Sequence, residues 1–133
     1  MVDVTRPMGS TTRIPPLEWE ARFDRFSREY LAGGRTETVT LEVLSPASGD
    51  QIAAAGARLL GLSYDPKGNL FEIQLEGVAH LVYRPSDIWV IEDDRGFISM
   101  LEIVRDDGTS ELLYVKGSGP ERTAQAPAAP PAS

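Results

Sequence analysis

Cysteine is absent from this chain, and histidine occurs once, at His80. Without thiols there is no disulfide, no thiolate zinc site and no cysteine nucleophile. With a single imidazole, a two-histidine metal site cannot be assembled within one chain. Long apolar runs are missing too. Residues 1–13 hold no apolar stretch of the length a secretory signal needs, and no later segment approaches the roughly 20 apolar residues that span a bilayer. These absences predict a cytoplasmic protein with no membrane contact.

Positive charge is in short supply. Net charge is −7 over 133 residues, and residues 36–116 hold fourteen acidic against six basic side chains, a balance of −8. Most of the affinity for duplex DNA comes from neutralising phosphates with clustered Lys and Arg, so duplex DNA is not an expected partner and charge disfavours RNA. Catalytic motifs are missing as well: there is no G-x-S-x-G turn, no Gly-rich loop between strand and helix, no H-E-x-x-H and no D-x-D-x-D-G. Neither a cofactor, a metal nor a catalytic residue is assigned.

What remains is an ordinary globular composition, 41% hydrophobic and 25% charged with ten aromatic residues. It is enough for one core but not for two. The organisation reads as a flexible tail over 1–13, one α+β domain over 14–116, and a disordered Pro/Ala-rich tail over 117–133. Pro15 and Pro16 suit the first turn of a helix, and Glu18 and Glu20 sit where the helix dipole favours negative charge. Trp19, Phe23, Phe26 and Tyr30 then recur at spacings of four, three and four, which stacks them on one stripe that packs on a sheet. Gly33-Gly34 supplies the stop.

From Thr36 the period becomes two. Val39, Leu41 and Val43 alternate with polar residues, as do Phe71, Ile73 and Leu75, and each set predicts a strand with one wet face. Asp65-Pro66-Lys67-Gly68-Asn69 turns a hairpin between them. The stretch Gly49–Ala57 suits either a short helix or a weak edge strand, and is read as strand. Ala79–Tyr83 and Ile88–Ile91 are apolar on both faces, which predicts strands that are central or covered on both sides, with Arg84-Pro85-Ser86-Asp87 as the turn between them. Asp93-Asp94-Arg95-Gly96 and Asp106-Asp107-Gly108-Thr109 turn two more hairpins. These acidic pairs, with Glu92 beside the first, could offer oxygen ligands to a cation, but aspartate at such positions more simply bonds the turn's own backbone. The fold class is α+β: an N-terminal amphipathic helix packed on a highly curved antiparallel sheet or small barrel of seven to eight strands.

The helix Leu17–Ser27, then Val39–Leu44, Gly49-Asp50-Gln51, Leu60–Lys67, the Gly77–His80 step and Pro85–Val90 together resemble an uncharacterised family of short bacterial proteins classed as a domain of unknown function. That resemblance covers about residues 14–116 and implies no activity. A looser similarity is to bacterial Sm-like RNA chaperones, carried by the helix, Val39–Val43, Gly61–Asp65, Phe71–Leu75 and Leu81–Arg84. It implies a small barrel and single-stranded RNA binding by a Tyr-Lys-His turn, to whose first two positions Tyr83 and Arg84 correspond. Pro85 stands in place of the histidine.

Three readings follow. A non-enzymatic binding or assembly module, with a protein partner or a second copy, is favoured by the two-sided apolar strands around Trp89 and Met100. A small-ligand or enzymatic site is placed at His80, Tyr83 and Arg84, where versatile polar side chains cluster. RNA binding through Tyr83 and Arg84 comes third.

Overall fold

The computed structural model describes residues 10–32 and 37–116. Pro16 opens a 3₁₀ turn (Pro16–Glu18) that leads into α1 (Trp19–Phe26), and the helix continues as a π-helical turn over Ser27–Leu31. The aromatic stripe faces inward: Trp19, Phe23 and Phe26 are buried. The Gly33-Gly34 stop lies outside the described residues. Eight strands accompany the helix: β1 (Ser10–Arg13), β2 (Thr38–Ser45), β3 (Gly49–Asp65), β4 (Leu70–Leu75), β5 (Val78–Tyr83), β6 (Pro85–Glu92), β7 (Ile98–Arg105) and β8 (Ser110–Lys116). They form one antiparallel sheet in the order β1-β6-β7-β8-β2-β3-β4-β5.

The fold class is the α+β arrangement read from the sequence, with eight strands, but the sheet does not close into a barrel. Among the described residues, β5 pairs with β4 alone, and β6 with β1 and β7. Yet β5 and β6 lie near opposite ends of the strand order with only Arg84 between them, so the sheet must coil back on itself. The coiling is built into β3. Its first part pairs with β2 and its last part with β4, and register shifts leave Ala53, Gly56 and Leu60 as extra residues. Gly56 has φ +75, the left-handed conformation that glycine takes without penalty in a bulge. Such bulges bend a strand and deepen its twist.

Three local expectations change. Ser10–Arg13, read as part of a flexible tail, is a strand on the edge of β6, and Ile14 behind it is fully buried with its N–H donating to the Ile88 carbonyl at 2.9 Å. Backbone pairing, which an apolar pattern does not report, holds this segment. Residues 1–9 and 117–133, the rest of the two expected tails, lie outside the described residues. Ala79–Tyr83, expected to be central or covered on both sides, is instead an edge strand with Leu81 and Tyr83 exposed. It closes the β3-β4-β5 meander, after which the chain leaves for the other end of the sheet. The turn expected over Arg84–Asp87 shrinks to Arg84, at φ +53.

The core lies between the coiled sheet and the helix. Phe23 meets Phe71 edge-on at 5.0 Å and Trp19 meets Tyr64 edge-on at 5.0 Å. The π turn places the Ser27 hydroxyl against β3, where it accepts from the Leu62 N–H and donates to the Leu62 carbonyl, each at 2.9 Å. It thereby satisfies backbone groups that β2 no longer reaches.

Candidate functional site

Strand alternation decides how the three candidate residues are arranged. On β5, His80 and Val82 point toward the opposing part of the sheet, whereas Leu81 and Tyr83 point outward. Tyr83 is half exposed. The structure therefore separates Tyr83 from His80 and places Arg84, at the β5–β6 corner, on a third direction.

His80 meets a residue that the sequence analysis did not single out. Its Nε2 lies 2.6 Å from Oε1 of Glu111 on β8, and Glu111 is only 2% exposed. The other carboxylate oxygen accepts from Arg105 Nη1 at 3.3 Å, and Arg105 also lies 3.6 Å from Asp107. Glu111 occupies an inward position of β8, in phase with Leu113 and Val115. A charge in phase with core residues was the legible signal, and it marks a buried carboxylate that requires partners. His80 and Arg105, each about a quarter exposed at the side chain, are those partners. Glu111 holds the imidazole by its Nε2.

Arg84 is committed to the corner it forms. Its N–H donates to the Asn69 carbonyl and its carbonyl accepts from the Asp106 N–H, both at 3.0 Å. Its Nε donates to the Asp106 carboxylate at 2.9 Å. The Tyr83-Arg84 pair that a base or planar ligand would need is thus divided between an exposed ring and a tethered guanidinium. The acidic turns are also occupied by their own backbone. Asp93 accepts from the N–H groups of Arg95 and Phe97, and Asp107 from that of Thr109. The Thr109 N–H, then its hydroxyl, and then the nearby Arg105 and Arg84 hold the Asp107 carboxyl below its ordinary range.

A groove of about 480 Å³ runs between the helix and the β6–β7 hairpin, with Phe26 and Ile98 below and Arg22, Arg25, Glu29 and Glu92 at its sides. Arg22 bridges Glu18 at 3.6 Å and Glu92 at 3.1 Å, so part of its charge is balanced internally. Tyr30 closes one end by donating to the Arg95 carbonyl. Burial, and then the charges of Asp93 and Glu29, push its hydroxyl above the ordinary tyrosine range.

The outer face of the larger part of the sheet is less polar. Cross-strand register aligns Ile91, Met100 and Tyr114 in one row, and Trp89, Glu102, Leu112, Glu42 and Ile52 in the next. Tyr114 is 42% and Ile52 58% exposed. Among the described residues, Ile52 sits where β3 is paired on one side only: residues 49–57 bond to β2, while β4 begins its pairing at Leu59.

These features define a helix-on-open-sheet α+β domain whose polar clusters are tied into the fold. The chain belongs to a family of unknown function, DUF5335, whose model matches residues 10–122. It is 42% identical over 112 residues to an uncharacterized protein of Aquifex aeolicus (strain VF5), a match covering 84% of this chain and 96% of that protein. No solved structure matches the chain. Among the described residues, no helix is long and apolar enough to cross a membrane.

Proposed function

We propose that this protein is a non-enzymatic binding and assembly module that engages another polypeptide through the larger part of its sheet. The observation that carries the reading is the edge of β3 over residues 49–57, which has no strand partner on its β4 side among the described residues and continues into the apolar rows of Ile52, Leu112 and Tyr114. An unpaired strand edge presents a row of N–H and C=O groups, and natural edges are usually guarded by lysine or proline. This one carries neither, and only Asp50 and the bulges at Ala53 and Gly56 guard it. Small side chains at Ala53, Ala55, Gly56 and Ala57 leave room for a second backbone.

The test is a photocrosslinking side chain placed at position 52 in the native host, with Leu17 as the control site. Leu17 is apolar and 98% exposed but lies on the helical side. Discrete adducts from position 52 and none from position 17 are expected. Equal labelling at both sites, or none at 52, refutes the reading.

The alternative of a small-ligand site keeps one supporting observation, the 2.6 Å contact to Glu111 that fixes a His80 side chain about a quarter exposed. Titration with acetate or inorganic phosphate, followed by the His80 ring resonances, tests it. Saturable shifts that vanish in His80→Gln favour a ligand site. Unmoved resonances remove it.

A further inference from the structure

On the helical side of the molecule, we infer that the groove between α1 and the β6–β7 hairpin binds a small zwitterion, a free α-amino acid with its carboxylate at Arg25 and its ammonium at Glu29. The groove encloses about 480 Å³, within the ~300–1,000 Å³ usual for small-molecule sites, and Arg22, Arg25, Glu29, Glu92 and Arg95 supply its charged lining. How these five pair with one another decides what is left for a ligand.

Arg22 and Glu92 neutralise each other. Nη2 of Arg22 donates to both Glu92 oxygens, at 3.1 and 3.2 Å, and Nη1 lies 3.6 Å from Glu18. That bridge joins the helix to β6 and fixes the two walls. Arg95, on the β6–β7 turn, has interactions of its own. Arg25 and Glu29 differ: both are exposed, and among the described residues neither side chain takes part in a hydrogen bond or an ion pair. They stand four apart in sequence, the spacing at which opposite charges on an α-helix meet. The arginine precedes the glutamate, however, which is the weaker order, and the helix widens to π geometry at Ser27, so Glu29 no longer falls one α-turn beyond Arg25. Among the described residues, the lining therefore keeps one unpaired cation and one unpaired anion on the same wall.

A ligand complementary to this wall carries both charges on adjoining groups. A simple anion at Arg25 would lie beside the Glu29 carboxylate, and a simple cation at Glu29 beside the Arg25 guanidinium, so each meets a like charge. An α-amino acid satisfies both residues, and the planar guanidinium grips a carboxylate in the two-pronged geometry that makes such bonds strong. The rest of the groove is preorganised for it. Tyr30 packs on Phe26 at 5.2 Å and on Phe97 at 5.3 Å, and its hydroxyl donates to the Arg95 carbonyl, which ties the π turn to the β6–β7 turn. Gly96 shapes that turn with a φ of +90, open to glycine without strain. Single π turns of this kind recur at functional sites.

Titration of the full chain with L-leucine and L-serine, followed by the backbone amide resonances of Arg25, Glu29 and Gly96, tests the inference. Saturable shifts with a Kd of about millimolar order are expected for both, as suits ligands of so few atoms. Arg25→Gln and Glu29→Gln should each weaken binding by about ten-fold or more, whereas Arg28→Gln, in the π turn but outside the groove lining, should leave it unchanged. All three side chains are exposed, and a thermal melt confirms the fold of each variant. Isocaproate and isoamylamine, which are leucine without its ammonium and without its carboxylate, should each bind about ten-fold or more weakly than leucine.

No saturable shift with either amino acid at about ten times the expected Kd overturns the inference. Equal binding of leucine and isocaproate overturns it in favour of an anion site, and equal binding of leucine and isoamylamine in favour of a cation site. Leucine binding that survives both Arg25→Gln and Glu29→Gln overturns the placement of the two charges.

Discussion

The contact between His80 and Glu111 sets the sharpest quantitative test, because it separates a structural cluster from a functional one. Glu111 is 2% exposed, and its two oxygens are served by one residue each, His80 at 2.6 Å and Arg105 at 3.3 Å. Replacing His80 with alanine leaves Oε1 without a partner, and an unsatisfied buried acceptor costs about 1–3 kcal/mol, more when charged. An expectation of at least about 2 kcal/mol is reasonable for His80→Ala, because the ring that is lost is also mostly buried. Glu111→Leu removes the buried charge and fits the apolar phase of β8. Its cost should be smaller, because His80 and Arg105 are exposed enough to turn toward water. In the double variant the unsatisfied oxygen no longer exists. The two substitutions should therefore be non-additive by about 1–2 kcal/mol. Urea unfolding followed by the fluorescence of Trp19 and Trp89 measures all four corners of the cycle, and 2 kcal/mol corresponds to a midpoint shift of about 1 M for a slope of about 2 kcal/mol/M. A coupling below about 0.5 kcal/mol would refute the view that His80 is retained to satisfy Glu111, and would return His80 to the list of residues available for chemistry.

Other consequences are equally direct. Phe23→Ala removes a fully buried ring stacked edge-on against Phe71, and should cost about 3–5 kcal/mol in the same urea assay; a loss under 1 kcal/mol would mean that the helix is not docked on β4. Burial, then the neighbouring Asp65 charge, raises the Tyr64 hydroxyl above its ordinary pKa. The native state therefore keeps this proton after the unfolded chain has lost it, so its contribution is fully present below about pH 10 and is lost as pH rises through the folded value. Tyr64→Phe should flatten that alkaline decline while costing about 1 kcal/mol at neutral pH for the bond to Asn69; an unchanged alkaline slope contradicts the assignment. Arg84→Gly should be close to neutral in thermal melting, since relief of a left-handed φ of +53 offsets loss of the exposed ion pair with Asp106, whereas Arg84→Val should destabilise by about 1–2 kcal/mol. Equal effects of the two would argue against strain at the corner.

Periodicity alone was enough for the helix and for β2 and β4. The stripe Trp19, Phe23, Phe26 and Tyr30 specified one buried helix face, and the alternation in Val39–Val43 and Phe71–Leu75 specified one-sided strands, because side-chain direction follows directly from backbone geometry. The Asp-rich turns were legible for the same local reason, since their carboxylates bond the backbone a few residues on. Even the Gly49–Ala57 segment, weak in apolar signal, was readable as strand. Inventory excluded thiol chemistry outright.

Only the tertiary structure decided which strands became neighbours. Nothing local in Ala79–Tyr83 announces an edge, because strand position depends on where the chain goes next, and here it leaves through a single left-handed residue. Ser10–Arg13 joined the sheet through backbone bonds that carry no sequence pattern. The pairing of His80 with Glu111 spans 31 residues, and the separation of His80 from Tyr83 follows from which face of β5 meets the core. The site foreseen as one cluster became a buried acid with its partners, an exposed ring and a structural corner. Long-range register made that division, and among the described residues the same register left one stretch of β3 with a neighbour on one side only.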